Sequence, residues 1–144
     1  MIGHIDVLPR LFDQIVIPQY VASIELRNPK TPRDVHAWAA ALPPWTEVRA
    51  PESPQNLGVH RGESEAIALS LELKAFAVLL DDADARRIAK SKGLATAGTI
   101  GILEAAADRG FLTLAEAFER LERTNFRIKP QLLKEALDRH AARR

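Results

Sequence analysis

The stretch Ala75–Arg87, AFAVLLDDADARR, constrains this chain more than any other. From Phe76 to Leu80 the apolar residues follow one another without alternation and run straight into Asp81 and Asp82. A short unbroken apolar run predicts a strand covered on both faces, as in a parallel sheet. Asp84 then reads as a helix N-cap, with Ala85-Arg86-Arg87 as the first turn. Strand, acidic turn and helix make one step of an α/β chain, and in open α/β sheets ligands bind just beyond the carboxyl ends of the strands. Two carboxylates at that place suit a divalent metal, because hard cations take oxygen ligands. The plainer alternative is that one aspartate caps the helix and the other is solvated.

Composition narrows the chemistry. At 144 residues the chain fits one domain with a real core. It has no cysteine, which excludes disulfides and thiolate metal sites and is compatible with a reducing cytoplasm. No apolar run approaches the length of a membrane span, and the opening MIGHIDVLPR lacks the features of a signal peptide. A net charge of +1 neither demands nor forbids a nucleic-acid partner, so any basic surface must be local. There is no glycine-rich phosphate loop, HExxH or GxSxG. His4, His36, His60 and His140 are scattered and read as surface or packing residues, and Ser64 and Ser70 have no evident base. Carboxylates are left as the credible chemistry.

The rest of the chain alternates short strands with helices. Apolar spacing predicts a helix over Met1–Phe12, limited by Pro9. Ile15-Val16-Ile17 reads as a buried strand and Pro18 as the opening of a helix over about 19–26, which places Glu25 one turn from Val21. A helix capped by Thr31 is expected over 35–42, and a strand over 45–48. GESEAIALSLELK forms a strong amphipathic helix with Glu63 and Glu65 in its first turn, where the helix dipole alone accounts for both. The two lie about 200° apart around the helix, so they do not share one target. Glu63, above Ile67, is the one favoured to face inward. After the acidic turn a helix runs to about Lys92 and carries Arg86, Arg87, Lys90 and Lys92 as a basic face. Leu94–Ala97 is a second buried strand, and Thr99 caps a helix over 100–107 at that strand's carboxyl end. Thr113 and Glu116 form a capping box before a helix over 114–123, and a last helix over 131–140 ends in a frayed basic tail. Strands alternating with helices predict α/β architecture with a parallel sheet between helical layers.

At the segments IVIPQYVASIEL, LGVHRGESEAIALSLEL, LLDDADAR and GLATAGTIGILEAAADRG, in that order, the chain resembles the PIN-domain superfamily. More closely it resembles an uncharacterised prokaryotic branch related to VapC-type toxins. The resemblance covers most of residues 1–128. It implies a three-layer α/β/α sandwich forming a single domain over 1–144, with residues 129–144 as a C-terminal helix and tail. It further implies a magnesium- or manganese-dependent endoribonuclease, the toxin of a toxin–antitoxin pair, in the cytoplasm. RNA, a small antitoxin protein and a second copy of the chain are the implied partners, and no membrane is. By resemblance Glu25, Glu63 and Asp82 are the catalytic acids. Glu65 competes with Glu63 and Asp81 stands beside Asp82 as further metal ligands. Thr99 sits where the family carries a small polar residue, and Arg86, Arg87 and Lys90 offer contacts to the RNA backbone.

The chain departs from the family at its start. The family opens with a central buried strand ending in an aspartate, whereas this sequence begins inside the helix that follows; Asp6 is a poor substitute. The expectation is therefore an N-terminally truncated fold and a weakened or inactive nuclease. A gap at the centre of the sheet would leave unpaired backbone groups, and so predicts rearrangement, low stability or pairing with another chain. Two alternatives to the nuclease stand beside it: a non-catalytic module that binds nucleic acid or protein, and a plain structural domain with acidic helix caps.

Overall fold

The computed structural model describes residues 4–124 and 126–144. Residues 1–3 of the predicted first helix lie outside the described residues. The chain divides into two compact units, one of Asp13–Gly98 and the other of Met1–Phe12 with Thr99–Arg144. Among the described residues no helix is long and apolar enough to cross a membrane.

Among the described residues, the strands all lie in the first unit. Strand β1 (Ile15–Pro18) is built from β-branched residues, which suit a pleated, half-buried surface, and Pro18 closes it. It pairs in parallel with β2 (Thr46–Arg49), Ile15 opposite Thr46 and Ile17 opposite Val48. The helix expected after Pro18 is a π-helical turn, Val21–Glu25, and the next helix, α2, spans Arg33–Ala40. No side chain caps α2; the Thr31 hydroxyl instead donates to the carbonyl of Glu25. Helix α3 (Arg61–Leu73) follows, then β3 (Val78–Leu79), α4 (Ala83–Ser91) and β4 (Thr96–Ala97). Strands β3 and β4 form a second parallel pair.

The fold is thus α/β with short parallel sheets, but the expected single sheet is two ladders of two strands each. Helix α3 packs on both β1 and β3, although no ladder joins those strands among the described residues. Ile67, Val78, Leu80, Ala85 and Ala89 form the core of this unit. The apolar run of 76–80 is not covered on both faces, as its lack of alternation suggested. Val78 and Leu80 are buried, whereas Leu79 is 37 % and Phe76 87 % exposed. A ladder of two residues in a two-stranded sheet has too little neighbouring structure to cover a second face.

The second unit is helical: α1 (Val7–Leu11), α5 (Thr99–Asp108), α6 (Leu114–Glu122) and α7 (Pro130–Ala142). Its core is Leu103, Ala107, Leu114, Ala117, Phe118, Leu121, Leu133 and Ala136. Pro130 sits at the first turn of α7, where its missing N–H costs nothing. Two expectations change here. Thr113 precedes α6 without a side-chain cap, so the capping box is not formed. The basic end of the chain is helical to Ala142 because it meets acids on α5. Arg139 donates from Nε and Nη2 to the two carboxylate oxygens of Glu104, each at 3.1 Å. Arg143 bridges Glu104 at 2.6 Å and Asp108 at 2.8 Å, and His140 Nδ1 contacts Asp108 at 2.6 Å.

Candidate functional site

The acidic turn forms at the end of β3. Asp82, not Asp84, is the N-cap of α4: its extended backbone turns the chain, and its Oδ2 accepts from the Ala85 N–H at 2.8 Å. Asp84 lies in the first turn of the helix and pairs with Arg87 at 3.3 Å, both well exposed. An aspartate fits either place, and the helix begins two residues earlier than its apolar spacing suggested. Arg86 reaches back with Nη1 to the carbonyls of Leu80 at 3.1 Å and Asp81 at 2.8 Å. Its guanidinium therefore fastens the strand end rather than standing open to a phosphate. Gly98, at the end of β4, leaves room for both side chains, since a Cβ would lie 3.0 Å from Asp81 Oδ1 and 3.2 Å from Arg86 Nη1. Lys90 is exposed on α4.

Glu25 comes from the π-helical turn, and its side chain is 34 % exposed. Its Oε1 lies 2.8 Å from His60 Nδ1. The same nitrogen is 3.3 Å from the backbone nitrogen of Gly62 at the start of α3. One ring nitrogen cannot donate and accept at once, and the shorter, carboxylate-facing contact requires Nδ1 to carry the proton. Gly62 lets the two segments approach, for a Cβ there would meet Glu25 Oε1 at 2.5 Å and Val21 Cγ2 at 3.0 Å.

The first turn of α3 separates its two glutamates. Glu65, 11 % exposed, accepts from the Tyr20 N–H at 3.3 Å and from Arg61 Nε at 3.2 Å. It staples the start of the π-helical segment to α3. Glu63 is half-buried and has no such donor among the described residues. Burial holds its carboxyl above the usual carboxylate range; the negative charge of Asp82 pushes it further up, His60 opposes this in part, and Glu25 adds a smaller upward push. Glu63 thus lies within electrostatic reach of both Asp82 and Glu25, although the three come from separate segments of one unit. Thr99 is the first residue of α5, in the other unit.

The arrangement offers oxygen donors and surplus negative charge, which is the chemistry a hard cation matches. It is not a closed ligand shell. Among the described residues no three acidic or imidazole side chains are gathered tightly enough to hold one ion. Glu25 is engaged by His60, and one oxygen of Asp82 is engaged by the α4 cap. His60 and Gly62 are the two residues of this face that the sequence reading passed over. The one signal for them was their place just ahead of Glu63, since His60 meets Glu25 only through the fold.

A family model described as a PIN domain matches residues 1–142. No curated protein and no solved structure matches the chain.

Proposed function

Because this chain belongs to the PIN-domain family, whose members are in general nucleases, we propose that it is a metal-dependent endoribonuclease acting through Glu25, Glu63 and Asp82. The observation that carries the reading is the electrostatic coupling of Glu63 to both Asp82 and Glu25. A half-buried carboxylate flanked by two like charges is unfavourable unless something positive relieves it. When bound, a magnesium or manganese ion would supply an acidified water and offset charge on the scissile phosphate. Glu63 and Asp82 would hold it, with Glu25 once it exchanges His60 for the cation and Asp81 beside them. Arg87 and Lys90 are exposed on α4 and would supply phosphate contacts to the RNA backbone. Arg86 contributes by fixing the turn that carries Asp81 and Asp82.

The biological setting that goes with this reading is a cytoplasmic toxin neutralised by a small antitoxin protein, with self-association into a dimer as a further partnership. The test is cleavage of an unstructured RNA in manganese. We expect weak cleavage, in keeping with the departure at the chain's start, that stops in chelator and in Asp82→Asn. Asparagine still caps α4, so loss of activity is not loss of fold. Cleavage by Asp82→Asn at the wild-type rate would refute the assignment.

One observation favours a second reading, a module that binds nucleic acid or protein without cutting. The acids are not gathered into a ligand set, and His60 already answers Glu25. Calorimetric titration with manganese separates the two: heat from a tight site supports the nuclease, and its absence supports the module.

A further inference from the structure

Tyr20, His60 and Arg61 form a cluster that the acidic face does not account for. The Arg61 guanidinium carbon lies 4.6 Å from the centre of the Tyr20 ring. The His60 ring stands 5.9 Å from that of Tyr20, tilted by 56°. The cluster is outward: the side chains of Arg61 and His60 are 71 % and 57 % exposed. It is also held. Glu65 accepts from Arg61 Nε and from the Tyr20 N–H, so one carboxylate, 11 % exposed, fixes both the cation and the backbone beneath the ring. An exposed arginine is ordinarily a loose chain; here a nearly buried acid and an aromatic ring hold it in place.

Its position matters as much as its rigidity. His60 touches Glu25, and Arg61 is two residues from Glu63 at the start of α3. A guanidinium seated over a phenol ring is thus placed beside the carboxylates. Guanidinium planes and aromatic rings are what unpaired nucleobases stack on, and stacking accepts any base because every base has a π-face. Bases inside a duplex are already stacked and cannot use it.

We propose that the Tyr20–Arg61 pair, flanked by His60, seats one unpaired nucleobase of the RNA strand. The proposal rests on the nuclease reading for its substrate, but it is tested without cleavage. The probe is a short unstructured RNA carrying 2-aminopurine, whose fluorescence falls on stacking, titrated with the full chain in chelator. Wild type is expected to bind with quenching and to bind a fully paired hairpin about tenfold more weakly. Arg61→Lys keeps the charge and loses the plane; it should weaken binding about tenfold and abolish the quenching. Tyr20→Phe keeps the ring and should preserve both.

Absence of quenching in wild type, wild-type affinity and quenching in Arg61→Lys, or equal binding of the hairpin would each overturn the proposal. Failure of the two readings is distinguishable. Quenching without cleavage in manganese leaves the platform standing and removes the nuclease. Cleavage with no quenching does the reverse.

Discussion

Two groups of acids, one in each unit, are held in opposite ways. In the helical unit, Glu104 and Asp108 stand one turn apart on α5, and Arg139, His140 and Arg143 of α7 meet them. Hydrogen bonds from Arg139 and then Arg143 hold the Glu104 carboxyl below the usual carboxylate range against the cost of burial. Asp108 is lowered likewise, first by His140 and then by Arg143. In the strand-bearing unit Glu63 is shifted upward, by burial and by two neighbouring acids. Paired acids of the first kind hold helices together. An acid kept half-buried beside like charges works against folding, and such sites are where function is found.

The comparison breaks most visibly at the acidic face. Asp82→Asn and Glu63→Gln are each expected to lower manganese-dependent RNA cleavage about 100-fold or more, the scale of several kcal/mol of charge stabilisation. Glu104→Gln, by contrast, should leave cleavage unchanged and lower the unfolding free energy by about 2 kcal/mol, read by denaturant titration.

The pH dependence sharpens the contrast. Glu104 is depressed in the folded state, so its contribution is complete above the unfolded carboxylate value of about 4.3 and is lost as pH falls through the folded one. Wild type minus Glu104→Gln stability should therefore shrink in acid. Glu63 is raised, so its ionised form costs stability at neutral pH and costs nothing below the unfolded value. Glu63→Gln should stabilise the metal-free protein near pH 7, by no more than about 1 kcal/mol, and the gain should vanish in acid. A loss at pH 7 would show the two units to be alike after all.

A subtler change tests how closely the segments fit. Gly62→Ala is expected to push the Glu25 carboxylate aside, weakening cleavage with less effect on unfolding than Glu104→Gln. The smallest effect is expected at Ser64, buried in α3 with its hydroxyl unpartnered among the described residues. Ser64→Ala should be neutral or stabilising, up to about 1 kcal/mol. Marked destabilisation would show that the hydroxyl has a partner.

The sequence made the alternation of elements legible because it is written locally. IVIP and VLL are apolar and short, and α3 carries an unbroken helical stripe. The acids were legible for the same reason, since each closes or opens an element. What escaped was set by contacts distant in the chain. Nothing around Phe76 shows that its strand lacks a second covering layer. His60 lies 35 positions from Glu25, and Glu104 lies 35 from Arg139. Spacing did hold one unused clue, for Glu104/Asp108 and Arg139/Arg143 are both pairs four apart on helices, which lets two charged faces interlock. The choice between Asp82 and Asp84 as cap could not be made locally, because both residue types and both positions are acceptable.

The brevity of β3 carries a consequence for motion. Val78 and Leu80 donate to the carbonyls of Ala95 and Ala97, and the ladder spans only two residues on each strand. Amide protons in so small a ladder should exchange with deuterated solvent well before those in the middle of α3. The arm bearing Asp81 and Asp82 is therefore held chiefly by Arg86 and by the packing of Val78 and Leu80, and it can breathe while the helices around it stay intact.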